Sequence, residues 1–403
     1  VAARGTLPAR NKDGAVVGIT ILQKSDLERP KKNPKVALVL AGGAISGGAF
    51  KLGGLLALDS FLVNRKPTDM DIYVGLSAGA FLAAPLAAGI PSRELYSSIH
   101  GKSPMIDRMR PWDFYWPNWH EFYGKPMLAG RDVATFFPRL AGISLQVLRK
   151  RPRKMVGLAK RFVSSPTLEH FEDLLEPIGE EWAETMGIPG IGRYLPSGMF
   201  DNSRIETFIR RNLERNNLPN NFRELHALRG NNLYIGATNL NTSRGVLFGH
   251  DEDNSVSISE AVQASTAIPG FFRPAHIRGQ DYLDAGVRKT ANISVAIRKG
   301  ADLVIAYNPF RPYDNEFASA VSSSYKSIAD SGFVAVLNQT FRTLLHTRLH
   351  LGMEKLMLDD TFTGDVVLIE PSEDDFVFFN MSPLAFGSRD KAAEQGFLST
   401  KQN

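Results

Sequence analysis

A β-branched run that stops at a glycine-flanked serine constrains this chain more than any other stretch. In Asp71-Ile72-Tyr73-Val74-Gly75-Leu76-Ser77-Ala78-Gly79-Ala80 the run reads as a strand and Gly75 to Gly79 as a tight turn, with a helix of small residues, Ala80 to Ala88, packed closely behind it. A serine on such a turn holds its hydroxyl clear of its own backbone, and side chains at the two glycine positions would crowd it. The N-terminus of the following helix turns N–H groups and a partial positive charge toward the same spot, where a developing anion is stabilised. GxSxG alone is a weak signal, because ordinary composition yields one by chance in roughly one chain in ten of this length.

A second strand and turn precede it. Val36-Ala37-Leu38-Val39-Leu40 has no polar interruption, as a strand covered on both faces requires, and so implies a parallel sheet. Gly42-Gly43-Ala44-Ile45-Ser46-Gly47-Gly48 follows, then an apolar helical stretch expected from Ala49 to Val63. A glycine-rich loop between strand and helix offers backbone N–H groups to an anion. No GxGxxG can be placed on these glycines, and Gly43 to Gly48 lacks the Lys and Ser/Thr of a phosphate-binding loop, so the anion is expected to be an oxyanion.

At 403 residues the chain is read as an N-terminal arm, 1–34, and one α/β domain, 35–403, with an insertion at about 100–196 and a C-terminal helical and strand extension from about 316. Further strands are expected at Leu233 to Ala237, Val246 to Phe248, Ala301 to Tyr307 and Val366 to Glu370, with mostly helix from Glu316 to Leu358. Two Ser-x-x-Glu patterns, Ser203 with Glu206 and Ser257 with Glu260, predict capping boxes at the starts of helices. After the second helix, Pro269-Gly270 makes a turn and Tyr282-Leu283-Asp284-Ala285-Gly286 ends a strand on an acid.

Inside the insertion, Trp112, Phe114, Tyr115, Trp116, Trp119, Phe122 and Tyr123 crowd together, and a basic run from Arg149, Lys150 and Arg151 to Arg161 alternates with apolar residues, broken by Pro152. Such segments suit a membrane surface, basic groups on phosphates and aromatic ones at the interface; each also suits a solvated helix face with a small aromatic core. The net charge of +5 favours anionic partners without choosing between nucleic acid and lipid. The absence of cysteine excludes disulfides, thiolate metal sites and a cysteine nucleophile, while eight scattered histidines suggest no metal-ligand spacing; no metal or cofactor is expected. No apolar run reaches the ~20 residues of a membrane span. The chain opens at Val1 without a signal-peptide pattern, as a trimmed or processed start does.

Gly42 and Gly43, Ser77 and Asp284 together supply a donor loop, a nucleophile and an acid, which is what acyl transfer requires. In this order they resemble the patatin-like phospholipases, serine acyl hydrolases whose glycine loop, GxSxG and DG[GA] triplet fall here on Ala41 to Gly47, Gly75 to Gly79 and Asp284 to Gly286. Ala264 to Phe272 is similar to that family's segment before the acid. The resemblance implies a three-layer α/β/α fold with a central, mostly parallel sheet, and a dyad of Ser77 as nucleophile and Asp284 as base. It also implies an oxyanion hole at Gly42, Gly43 and Ala44, and phospholipid or lysophospholipid as substrate. It points to anionic membrane rather than nucleic acid, to a cytoplasmic or peripheral membrane setting, and to no cofactor; an activating protein is not legible.

The chain departs from the family pattern at Ala44 and Ala285, where glycines are expected, and at Ser46, where a basic residue is; Gly48 lengthens the loop by one. Lys51 is the candidate for the missing cation. Rival readings are a true triad with His346 or His350 as base, an acyltransferase using the same serine, and a silent lipid-binding scaffold. An aspartate at its reference pKa of ~3.9 is a poor base near neutrality, so Asp284 is expected to need apolar surroundings.

Overall fold

The computed structural model describes residues 4–5, 17–29, 31–165, 170, 173–177, 195–315 and 327–403. The chain divides into two compact units, Val1–Trp116 with Phe200–Asn403, and Pro117–Met199.

The larger unit is built on β3 (Val36–Leu40), whose five residues are all buried. Its side chains alternate between two separate apolar clusters: Val36, Leu38 and Leu40 join one, Ala37 and Val39 the other. This period of two is why an uninterrupted apolar run is a strand with cover on both faces. The first cluster is completed by α1 (Ala44–Phe61) and α2 (Ala78–Ala87), the second by α7 (Ile293–Arg298) and α8 (Phe333–Met357). Three layers result, helices on both faces of a sheet, as expected.

Among the described residues ten strands make the sheet: β1 (Arg4–Gly5), β2 (Ile19–Gln23), β3, β4 (Ile72–Gly75), β5 (Asn232–Asn239), β6 (Gly245–Phe248), β7 (Ala275–Ile277), β8 (Gln280–Leu283), β9 (Leu303–Tyr307) and β10 (Asp365–Ile369). Their order is β1-β2-β10-β9-β3-β4-β5-β8-β7, with β6 also on β5. Pairing is parallel from β10 through β9, β3 and β4 to β5, and antiparallel at both margins. β2 pairs with β10 and β1 with β2, so part of the N-terminal stretch forms one margin of this sheet.

The smaller unit contains α3 (Trp119–Lys150) and α4 (Pro152–Ser164), which opens on Pro152 as its first helical residue. Ile143, Val147 and Met155 form a small core of their own, and Arg149, Lys150 and Arg151 are exposed.

Helix starts separate the two predicted capping boxes. At α6 (Ile258–Ser265) the box forms: Ser257 accepts from the Glu260 N–H at 3.2 Å and the Glu260 carboxylate from the Ser257 N–H at 2.7 Å. At α5 (Ser203–Arg215) it does not, and Asn202 takes the cap position. Glu206 is engaged instead by Arg210 and by the Ser259 hydroxyl, both at 2.9 Å. The expected start of α1 at Ala49 is also corrected: it begins at Ala44, inside the glycine-rich segment, because the Pro383 carbonyl accepts from the N–H groups of both Ile45 and Ser46 at 3.0 Å. The helical stretch expected from Glu316 is observed from Phe333 to Met357; residues 316–326 lie outside the described ones.

Ser257→Ala is expected to cost about 1 kcal/mol of stability in urea denaturation, and Ser203→Ala less than about 0.5 kcal/mol.

Candidate active site

Strand register brings Ser77 and Asp284 together. Ile235 pairs with both Gly75 and Phe248, and Thr238 with both Gly245 and Leu283. A strand has only two edges, so β6 lies along one edge of β5 while β4 and β8 share the other, end to end and running toward each other. Counting on from the last pairs, Ser77 and Asp284 both stand level with Ala237, at the gap between the two strand ends. The acid therefore arrives on an antiparallel strand, not on the C-terminal end of a parallel one.

The elbow is close-packed. A Cβ on Gly79 would lie 2.0 Å from the Leu40 carbonyl oxygen, and one on Gly75 2.5 Å from Ala80 Cα, so neither position admits a side chain. Ser77 itself takes φ 53° and ψ −127°, a strained conformation typical of a nucleophile turn. Its N–H donates to the hydroxyl of buried Ser265 at 2.8 Å, which ties the turn to the end of α6. That partner is one the sequence reading missed, although Ser265 stands in the segment before the acid.

Asp284 is buried, and its carboxylate accepts from the Gly286 N–H at 2.6 Å. Burial pushes its pKa up to about 6, against the opposing pull of the nearby Ser77 hydroxyl, the Gly286 N–H and the charge of Lys51. The upward shift comes from burial, not from an apolar lining, since the groups named beside the carboxylate are polar.

Lys51 is fully buried on α1, and desolvation lowers its pKa to about 7 although Asp284 opposes this. Its ammonium donates to the carbonyls of Ala41 and of Gly42, the latter at 2.6 Å. In a planar trans peptide the C=O and N–H point in opposite directions. Holding these two carbonyls therefore aims the N–H groups of Gly42 and Gly43 the other way. Among the described residues the N–H groups of Gly42, Gly43 and Ala44 have no acceptor. A Cβ on Gly42 would lie 3.3 Å from Ser77 Cβ, which places this loop beside the serine. Ala44, where the family pattern has glycine, takes φ 51°, at a cost of about 1 kcal/mol for a residue with a side chain.

Beside Ser77 opens an apolar cavity of about 120 Å³, walled by Phe81, Phe208, Ile209, Phe271 and Phe386 among others. Tyr115 closes part of this region, its hydroxyl donating to the Leu384 carbonyl and its ring against Phe386. The predicted aromatic cluster is accordingly divided. Phe114 and Tyr115 pack inward, Trp116 lies under the Arg204 guanidinium at 3.5 Å, and Trp112 is 59% exposed. In the smaller unit Trp119 is half exposed and stacks on Tyr123. His346 and His350 do not join the serine; both face Glu370.

The chain matches the family described as Patatin-like phospholipase over residues 38–297. No curated protein matches it. Among solved structures it is similar to VipD from Legionella pneumophila, at 16% identity and a TM-score of 0.38, covering 100% of this chain and 70% of that one. It is also similar to the type III effector ExoU, at 14% identity and a TM-score of 0.32, covering 98% of this chain and 55% of ExoU. The full-length ExoU in complex with SpcU, from the type III secretion system of Pseudomonas aeruginosa, gives 15% identity and a TM-score of 0.28, covering 91% of this chain and 60% of that one.

Because Asp284 has a folded pKa of about 6 against 3.8 unfolded, its charge opposes folding; the penalty is absent below about pH 4 and complete above about pH 6. Asp284→Asn is expected to be more stable than wild type at pH 8 by on the order of 3 kcal/mol, with the gap closing by pH 4, as read from denaturation midpoints across pH.

Proposed function

From the premise that the chain belongs to the patatin-like phospholipase family, whose members are lipid ester hydrolases, we propose that it cleaves acyl esters of phospholipids or lysophospholipids through an acyl-Ser77 intermediate. The observation that carries this reading is that strand register sets Ser77 and buried Asp284 at one gap in the sheet, with Ser77 at the wall of an apolar cavity.

Ser77 Oγ attacks the ester carbonyl carbon as its proton passes to the Asp284 carboxylate. The tetrahedral oxyanion is received by the N–H groups of Gly42, Gly43 and Ala44, the first two held ready by Lys51, so that little reorganisation is needed as charge develops. Collapse expels the lipid alcohol, which takes the proton from Asp284. Water then attacks the acyl-enzyme, giving its proton to Asp284, and the fatty acid leaves as Ser77 recovers its hydrogen. A base with a pKa near 6 is poised for this, being ionised at neutral pH yet basic enough to share a proton with serine. The cavity walled by Phe81, Phe208 and Phe271 suits the acyl chain, Arg389 being the charged residue of a lining that is otherwise mostly apolar.

No described helix is long and apolar enough to cross a membrane. Phospholipids are held in bilayers, so on this reading the enzyme meets its substrate at a bilayer surface. Exposed Trp112 in the larger unit, and Trp119 with Arg149, Lys150 and Arg151 in the smaller, are the groups we assign to anionic membrane, each cation contributing about 1 kcal/mol near a charged surface.

A fluorophosphonate probe is expected to label wild type and not Ser77→Ala. Ser77→Ala and Asp284→Asn should each lose nearly all esterase activity while remaining folded; full turnover by folded Ser77→Ala protein rules the mechanism out. Sedimentation with anionic vesicles should weaken steeply as salt rises, and reversing Arg149, Lys150 and Arg151 to Glu should weaken it further. Equal binding to neutral vesicles would contradict the membrane assignment.

A further inference from the structure

His346 and His350 stand four residues apart on α8, so both project from one face of the helix. That face meets Glu370, the residue immediately after β10, whose side chain is only 5% exposed. Both imidazoles present the same atom to it: His350 Nε2 lies 3.0 Å from one carboxylate oxygen, His346 Nε2 3.6 Å from the other. The three ligand atoms lie within 4.8 Å of one another. A tetrahedral cation with bonds of about 2.0–2.2 Å sets its ligand atoms about 3.3–3.6 Å apart, which falls within that limit.

The carboxylate is also fixed from behind. Buried Asn308, which follows β9, donates its side-chain amide to Glu370 Oε1 at 2.8 Å, and the Glu370 N–H donates to the Gly18 carbonyl at 2.7 Å. Such outer partners orient metal-binding carboxylates. On the other side α8 is seated by Leu349 and Met353 in the second apolar cluster, so the imidazoles are positioned by packing that does not depend on a ligand. The His346 and His350 side chains are 23% and 33% exposed, which leaves solvent a route to the site.

We propose that His346, His350 and Glu370 form a binding site for a first-row transition dication, zinc foremost, that pins α8 to the end of β10. Two imidazoles with one carboxylate match zinc, whereas magnesium and calcium demand a shell of oxygens. Three protein ligands leave one position for water. The expectation that no metal binds rested on scattered histidines and overlooked the four-residue spacing of this pair. Neither Ser77 nor Asp284 is among its ligands, and its existence is independent of the esterase reading.

The test uses the whole chain, stripped with a chelator and titrated with zinc sulfate against a chromophoric competitor. One zinc per chain is expected, with a dissociation constant at or below about 1 μM. The melting temperature should rise with zinc and not with magnesium or calcium. His350→Ala and His346→Ala should each weaken zinc binding by at least the about 10–100-fold that loss of an outer partner costs, and should abolish the melting shift. Glu370→Gln should do the same, and if that variant fails to fold the two histidine variants decide. Failure of wild type to retain zinc, or equal retention by the double variant His346→Ala with His350→Ala, overturns the proposal and leaves a plain ion-paired cluster.

Discussion

A strand has two hydrogen-bonding edges, and β5 divides one of them between two strands that run head to head. β4 occupies the first half and turns away at Gly75; β8 comes in from the opposite direction and stops at Leu283. Whatever follows each strand must meet in the gap, and Ser77 and Asp284 do. Gly236 beneath them has no room for a side chain, since a Cβ there would lie 2.6 Å from Leu76. The pairing of β5 with its neighbours, more than any single contact at the site, is what brings residues 207 positions apart in the chain (284 − 77) to one point.

Two buried charges answer each other across that point. Burial drives the Lys51 pKa down to about 7 and the Asp284 pKa up to about 6, each moderated by the charge of the other. At neutral pH Asp284 is ionised and Lys51 is near its midpoint, and keeping such charge in the interior opposes folding while it suits proton transfer. The strained backbones at Ala44 and Ser77 belong to the same pattern, with local preference overridden where the chain turns toward substrate.

The fold was legible wherever a feature is local. The unbroken run Val36 to Leu40 and the glycines flanking Ser77 identify their elements because burial on two faces and a crowded turn each leave a direct mark in composition. Ser203 and Ser257 begin the same capping pattern, yet only Ser257 forms it, because Glu206 is drawn off by Arg210 one turn on and by Ser259, which no local reading places beside it. The start of α1 was misplaced for a similar reason: glycines argued for a loop, and the carbonyl that lets the helix begin early belongs to Pro383. Lys51 was legible only as a missing charge in need of a source. The edge shared by β4 and β8 left no mark, since strand order is a property of the assembled sheet.

Pro383 also bears on where the working unit ends. Its carbonyl fixes the first turn of α1, and three residues later Phe386 forms a wall of the apolar cavity. Pro309 and Phe310 press on Gly43 and Gly42 from the loop after β9. All four lie beyond residue 297, where the family match stops. A fragment trimmed to the matched region would keep Ser77 and Asp284 and lose the groups that shape the loop and line the cavity, so the shortest competent fragment has its C-terminal boundary past Phe386, set by contacts rather than by homology.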